Sequence, residues 1–240
     1  MDHIASHGEV AVTGYEALRE AAAWFDLSGR GKISVTGEDR ARLLHAMTTN
    51  HVQQLQPGQG CYAYFLSAQG RILGDVNILC REEDLLLDTE PETAAKLYQH
   101  LDQFIIADDA TLQDLTTELC TIAVEGPEAA AVLTRAGALV PDAEGSWVAW
   151  GDRITARLSY TGGPGYFIFA PAGSKPELAT ALESAGAVAA SVADAEIVRL
   201  ERGRPRYGAD ITERYLAQET NQPRALHFSK GCYLGQEIVE

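Results

Sequence analysis

The sequence predicts an α+β fold, and three observations predict it. Short apolar segments of period two and segments of helical period alternate along the whole chain. Several strand-like segments are joined by turns too short for a crossover helix, so hairpins are included. A doubly wound parallel sheet would need a helix between successive strands, and the pattern lacks that regularity. No exact repeat and no low-complexity tract suggests a solenoid.

Taken in order, Tyr15 to Phe25 reads as a helix, because Leu18, Ala21, Ala22 and Phe25 recur at helical spacing. Lys32 to Thr36 is a short strand with Ile33 and Val35 on one face, ended by Gly37. Asp39 to Met47 is a helix, and Pro57-Gly58-Gln59-Gly60 a turn. Cys61–Leu66 and Arg71–Cys80 are strands joined as a hairpin by Ser67-Ala68-Gln69-Gly70. Asp84–Thr89 is a strand, and Pro91 opens a helix to about Gln103. Leu119–Val124 is a strand, and Pro127 starts a helix to about Arg135. Trp147–Trp150, Arg153–Tyr160 and Tyr166–Ala170 form a meander. Helices follow from Pro176 to Ser184 and from Ala193 to Arg202.

At 240 residues the chain suffices for one large domain or two intimately packed ones. No apolar run approaches the roughly 18 residues of a membrane span, so no membrane partner is expected. Met1-Asp2-His3-Ile4 has neither a basic nor an apolar signal region. Cys61, Cys80, Cys120 and Cys232 are widely spaced without a Cys-x-x-Cys pair, which fits a reducing cytoplasm and no self-contained zinc or cluster site. The first three lie in apolar strands and are expected to be buried. His3, His7, His45, His51, His100 and His227 show no metal-ligand spacing, so no stably bound metal is expected.

A formal charge of −15 disfavours direct nucleic-acid binding. Against that background Arg199 to Lys230 carries seven basic residues and four acidic ones. This stretch reads either as a solvated loop with surface ion pairs or as a local site for an anionic ligand such as a carboxylate tail.

The most specific string is Lys230-Gly231-Cys232-Tyr233-Leu234-Gly235-Gln236-Glu237. Its glycines permit a tight turn, and a thiol beside a cation is a candidate reactive group. The string resembles the K-G-C-Y-x-G-Q-E signature of the YgfZ family, folate-binding proteins tied to iron–sulfur cluster assembly and repair. Other stretches resemble aminomethyltransferases, the T-proteins of glycine cleavage: Phe25–Ser28, Val35–Gly37, Thr49-Asn50, Pro57-Gly58, Gln69–Asp75, Ile122–Pro127 and Arg199–Gly203. Their shared order covers most of residues 15–240. The resemblance implies one aminomethyltransferase-like folate-binding domain over residues 8–240, built of interleaved ferredoxin-like αβ subdomains around a central pocket, with a split near residues 115–120. Both branches normally carry a further C-terminal β-barrel, so the sequence is expected to be truncated there.

The resemblance also carries roles. Asp75 matches an aspartate beside the reactive nitrogens of tetrahydrofolate. Strand alternation puts Asp75 and Asn77 on the more polar face, which suits an acid, base or electrostatic anchor. Tyr62, thirteen residues earlier, and Tyr160, before a glycine-rich turn, match aromatic folate contacts. Arg199 and Tyr207 match polar contacts, although Arg199 could equally pair with Glu196 or Glu201. Phe167 stands where T-proteins place a glutamate on the pterin edge, a departure that counts against T-protein turnover. Cys232 is the implied reactive or redox-responsive thiol; one cysteine cannot hold a cluster alone. Lys230 could lower its pKa and Glu237 raise it. The resemblance thus implies a protein that binds tetrahydrofolate or a derivative and supports iron–sulfur client or assembly proteins. Alternatives are an aminomethyltransferase or other folate-dependent one-carbon transferase, and a folate-dependent factor in tRNA modification.

Overall fold

Residues 12–239 are described by the computed structural model; His3, His7 and the expected domain start at residue 8 lie outside them. Helix α1 (Gly14–Glu20) begins with a capping box, in which the Glu16 amide donates to Thr13 Oγ1 at 3.2 Å and the Thr13 amide to Glu16 Oε2 at 2.9 Å. The sequence predicts this helix through Phe25. Instead Ala23–Asp26 form strand β1, with Ala23 and Phe25 buried and Trp24 and Asp26 turned outward. The period-two burial of these four residues, paired on both sides, overrides the helical spacing of their apolar neighbours.

One sheet has five antiparallel strands: β2 (Gly31–Thr36), β3 (Gly60–Leu66), β4 (Ile72–Cys80), β5 (Leu85–Thr89) and β6 (Thr111–Asp114), in the order β3-β4-β5-β2-β6. Helices α2 (Arg40–Met47) and α3 (Ala94–Asp102) cover one face, where Leu43, Leu44, Met47, Leu97 and Leu101 pack on Ile33, Val35, Phe65, Val76 and Ile78. The hairpin β3–β4 is as the sequence predicts, pairing Tyr62 with Asn77 and Tyr64 with Asp75. The helix expected from Pro91 begins at Ala94, with Thr93 at its N-cap.

The second sheet has six strands: β1, β7 (Leu119–Glu125), β8 (Trp147–Trp150), β9 (Arg153–Ala156), β10 (Gly165–Pro171) and β11 (Val188–Ala189), in the order β11-β1-β7-β10-β9-β8. Helices α4 (Ala129–Arg135) and α5 (Lys175–Ser184) pack on its outer face through Val132, Leu133, Leu178 and Leu182. On the inner face Phe25, Ala123, Phe167 and Phe169 meet Leu79 and Leu86 of the first sheet. Helices α1 and α6 (Val192–Glu201) close this core with Leu18 and Val198. The strand expected over Arg153–Tyr160 stops at Ala156. Strands β6 and β11 have no counterpart in the sequence reading, since β6 is a mostly exposed Thr-Leu-Gln-Asp and β11 spans two residues.

Beyond α6 the chain runs as turns to a last helix, α7 (Gln236–Val239). Tyr207, Ile211, Ala217, Ala225, Tyr233 and Val239 of this segment pack on Tyr64, Leu66 and Ile72. The fold is thus an α+β arrangement whose two sheets face each other. Among the described residues no helix is long and apolar enough to cross a membrane.

Candidate functional site

Residues from both sheets and from the flanking chain line a cleft open to solvent. The first sheet contributes Tyr62, Asp75, Asn77 and, just past β5, Glu90; the second contributes Phe167 and the 158–160 loop. The chain on either side completes the walls with Arg30, Arg199, Arg204, Arg206 and Arg224. Strand register explains the first wall. Asp75 and Asn77 lie two apart on β4 and therefore share a face, and Tyr62 sits opposite Asn77 on β3, diagonal to Asp75. From there the Tyr62 hydroxyl donates to Asp75 Oδ2 at 2.8 Å.

Asp75 is buried, and its second oxygen, Oδ1, has no hydrogen-bond partner among the described residues. Burial, and then the carboxylate of Glu90, push its pKa up to about 6, against the opposing pull of Arg30 and the Tyr62 hydroxyl. The same burial, with Asp75 alongside, raises the Tyr62 phenol well above its ordinary value. A carboxyl group in this state accepts hydrogen bonds at neutral pH and takes up a proton in mild acid.

Around this pair lies a charge network. The buried Arg30 guanidinium donates to Asp88 at 2.9 Å from both Nε and Nη2, and also to Glu90. Burial alone would lower the Arg30 pKa, but Asp88 and Glu90 outweigh it and hold it above the usual value. Asn77 donates to Asp88 Oδ2 at 2.9 Å, which ties the cleft wall to that pair. Arg206 reaches Glu90 Oε2 at 2.8 Å and Glu196 Oε1 at 3.4 Å. Arg224 lies 4.2 Å from the Tyr62 ring centroid and Arg204 5.8 Å. The Nη2 of Arg224 is buried without a hydrogen-bond partner among the described residues.

Tyr160 is positioned by Glu125, a fully buried carboxylate at the end of β7. Glu125 accepts from the Thr161 amide at 3.0 Å, from Ser159 Oγ at 3.1 Å, and from the Tyr160 amide and Thr161 hydroxyl. Those bonds hold the 159–161 turn against the end of β7. The Tyr160 hydroxyl donates to Glu196 on α6.

Five of the six folate-contact residues expected from sequence, Tyr62, Asp75, Asn77, Tyr160 and Arg199, line this cleft together. Within it Arg199 is committed to protein partners. It is 3% exposed, donating to Glu196 at 2.8 Å, Asp210 at 2.5 Å and the Arg204 carbonyl at 2.6 Å. Tyr207 is not part of the lining; it is buried against Tyr64 and Ile72 and donates to the Ile72 carbonyl at 3.3 Å. Phe167 is buried in the lining, with the Arg30 guanidinium 5.9 Å from its ring centroid. The sequence reading missed Arg30 and Glu90. A signal for them existed, because charged residues interrupting the apolar strands around Lys32 and Asp88 must find partners. The basic stretch divides: Arg204, Arg206 and Arg224 reach the cleft, while Arg214 is exposed.

The signature residues Lys230, Gly231, Cys232, Tyr233, Gly235, Gln236 and Glu237 form a separate feature and do not line the cleft. Cys232 is exposed, Cys80 and Cys120 are buried, and Cys61 is half-buried. Lys230 is not beside an exposed thiol as expected. Its ammonium is buried and donates to the carbonyls of His45 and Thr48 at the end of α2, and it lies 4.6 Å from the Tyr233 ring centroid. A helix C-terminus leaves carbonyls without partners, so Lys230 caps α2. The thiol it acts on is that of Cys61, which burial pushes up to about 12. Gly235 has φ +83°, and a Cβ there would sit 2.5 Å from the Ser67 carbonyl oxygen. Gly231 needs no such exception, since its added Cβ would meet only His45 Nε2, at 3.7 Å. Among the described residues no cluster of three or more His, Cys, Asp or Glu is arranged to hold a metal ion.

Comparison with known proteins bears on the fold and the family. The GCVT N-terminal domain family matches residues 6–230. An aminomethyltransferase from Rubrobacter xylanophilus is 31% identical over 233 residues, covering 94% of this chain and 63% of that protein. An Arabidopsis thaliana chloroplast protein, provisionally named a transferase, is 27% identical over 231 residues, covering 93% of this chain and 54% of that protein. Among solved structures, the glycine cleavage system aminomethyltransferase T of Bartonella henselae superposes with a TM-score of 0.78 at 26% identity, over 85% of this chain and 57% of that one. The chain therefore spans a little over half to under two thirds of the length of these relatives.

Proposed function

The chain belongs to the GCVT N-terminal domain family, and from that premise we propose that its cleft binds tetrahydrofolate or a close derivative. The observation that carries this reading is Asp75, a buried carboxylate aligned by Tyr62 whose Oδ1 has no partner among the described residues. The donor set fits the ligand: an acceptor for ring N–H groups, the Tyr62 ring, and Arg204 and Arg224 for carboxylates. Tetrahydrofolate would supply nitrogens that carry one-carbon units. Asp75 would anchor them as an acceptor, and the guanidinium groups would orient the acidic end.

Beyond binding, the intact signature around Cys232 supports service to iron–sulfur proteins, as in the YgfZ family that it resembles. Its exposure leaves the thiol accessible to a partner. A second reading, one-carbon transfer, is supported by Asp75 itself, since a carboxyl group with a pKa of about 6 can exchange protons near neutrality.

Calorimetric titration of tetrahydrofolate under anaerobic, reducing conditions tests the reading. Asp75→Asn, which keeps the shape and removes the charge, is expected to weaken binding by about 10- to 100-fold, the worth of one charged hydrogen bond. Equal affinity in both proteins, or none in the parent, sinks the cleft assignment. Turnover with an aminomethyl donor would favour transfer chemistry. Impaired iron–sulfur enzymes in cells carrying Cys232→Ser, with folate binding intact, would favour the maintenance role.

A further inference from the structure

Three imidazoles meet beneath the signature turn, and the proposed ligand chemistry uses none of them. The ring centroids of His45 and His51 are 4.5 Å apart, and those of His51 and His227 are 5.2 Å apart, both edge-on. His45 lies on α2, His51 in the turn after it, and His227 three residues before Lys230. His45 is buried, and its Nδ1 accepts from the Val52 amide at 3.3 Å. The Nδ1 of His51 is buried with no hydrogen-bond partner among the described residues. The Lys230 ammonium acts on His45 and His51, and it in turn acts on the Cys61 thiol of β3 and lies 4.6 Å from the Tyr233 ring centroid. The charges acting on His45 are those of Lys230, His51 and His227, all of one sign.

The same few residues tie the C-terminal segment to the body. The His227 amide donates to the Thr49 carbonyl at 3.0 Å and the Leu234 amide to the Ala46 carbonyl at 3.0 Å. Thr49 Oγ1 donates to the Ala225 carbonyl at 2.6 Å. Asn50 Nδ2 donates both to the Arg224 carbonyl at 2.9 Å and to the Tyr62 carbonyl at 2.8 Å. The hydrogen bonds that tie the segment to the body thus converge on residues 45–50, beside its apolar packing on Tyr64, Leu66 and Ile72, and one of its links reaches the cleft.

We propose that this cluster is an acid-sensitive clasp: protonating His45 and His51 loosens the 224–236 segment, and with it Arg224 over the cleft, while both sheets stay folded. A proton on His45 or His51 adds a positive charge to a group that already holds the Lys230 ammonium. The pKa of His45 is pulled down by burial and then by Lys230 to about 4, and that of His51 is lowered by burial and then by His227 and Lys230. For a base whose folded pKa is depressed, the unfolded or opened state binds more protons across the interval, so the closed form loses stability as pH falls from the ordinary value of 6.5 toward 4. The inference stands on the cluster and its anchors, independently of which ligand the cleft takes.

Hydrogen exchange read by mass spectrometry at about pH 7.5 and 5.5, corrected for intrinsic rates, tests it. Titration of His45 alone predicts an opening constant about tenfold larger at the lower pH for peptides covering 45–52 and 226–236. Peptides from β7 should not change. His45→Asn offers the Val52 amide an acceptor without titrating and is expected to flatten the response. An unchanged segment, an equal rise in β7, or the full response surviving in His45→Asn would overturn the clasp. If that variant does not fold, an NMR titration of the parent protein decides: a His45 midpoint near 6.5 instead of well below it rejects the proposal.

Discussion

In the cleft, buried and half-buried cations are matched by carboxylates: Arg30 by Asp88 and Glu90, Arg206 by Glu90 and Glu196, Arg199 by Glu196 and Asp210. At the signature turn the buried cation, Lys230, is matched by backbone carbonyls and surrounded by imidazoles. Both regions satisfy a desolvated charge, but with different consequences. A guanidinium stays charged at every physiological pH, and its carboxylate partners fix where that charge sits. Carbonyl partners leave the lysine pKa lowered by burial to about 8. The cleft is therefore built to hold a fixed charge pattern for a ligand, and the turn to hold a segment whose grip depends on protonation.

The largest effect should come from breaking the cleft network at its centre. Arg30→Met leaves Asp88 and Glu90 buried without their main partner, a loss of about 3–5 kcal/mol by chemical denaturation. A loss below about 1 kcal/mol would mean that water or Arg206 replaces the guanidinium, and the fixed-pattern view of the cleft would fail.

Next in size is Asp75→Asn, which should stabilise. A folded pKa of about 6 against an ordinary 3.8 means that the ionised form is disfavoured in the folded protein. That carboxyl group is neutral at no cost below its unfolded pKa, and its penalty grows as pH rises through 6. The variant is therefore expected to gain about 1–3 kcal/mol at neutral pH and nothing below pH 4, measured as the change in unfolding free energy with pH. A residue whose replacement stabilises the fold while weakening ligand binding is one held for the ligand.

How far the sequence disclosed these two regions differs for a physical reason. Alternation along one strand, Arg71 to Asn77, was enough to pair Asp75 with Asn77 and to aim both at a polar face, because strand geometry is local. The hairpin then brought Tyr62 within hydrogen-bond reach of Asp75. Arg30 and Glu90 come from distant turns and are recruited only by burial, so no local period marks them. Likewise Lys230 beside Cys232 in the chain suggested an activated thiol, yet the side chain turns inward to cap α2, a contact 182 residues away from its Thr48 partner. The misread helix over Tyr15–Phe25 has the same origin. Ala23–Asp26 is too short for its own period to win until β7 and β11 pair with it.

The smallest effects sharpen the signature side, because its two glycines should behave differently. Gly235→Ala puts a Cβ 2.5 Å from the Ser67 carbonyl at φ +83° and should cost about 1–3 kcal/mol. Gly231→Ala meets nothing closer than 3.7 Å and should change stability by less than about 0.5 kcal/mol. Thermal unfolding of the two variants side by side reads the difference. Should Gly231→Ala unfold as early as Gly235→Ala, the turn must be tighter than its geometry indicates. If instead it melts like the parent but fails in an iron–sulfur maintenance assay, the glycine beside Cys232 is needed for what approaches the thiol from outside. The fold would then require one glycine of the signature and its partner the other.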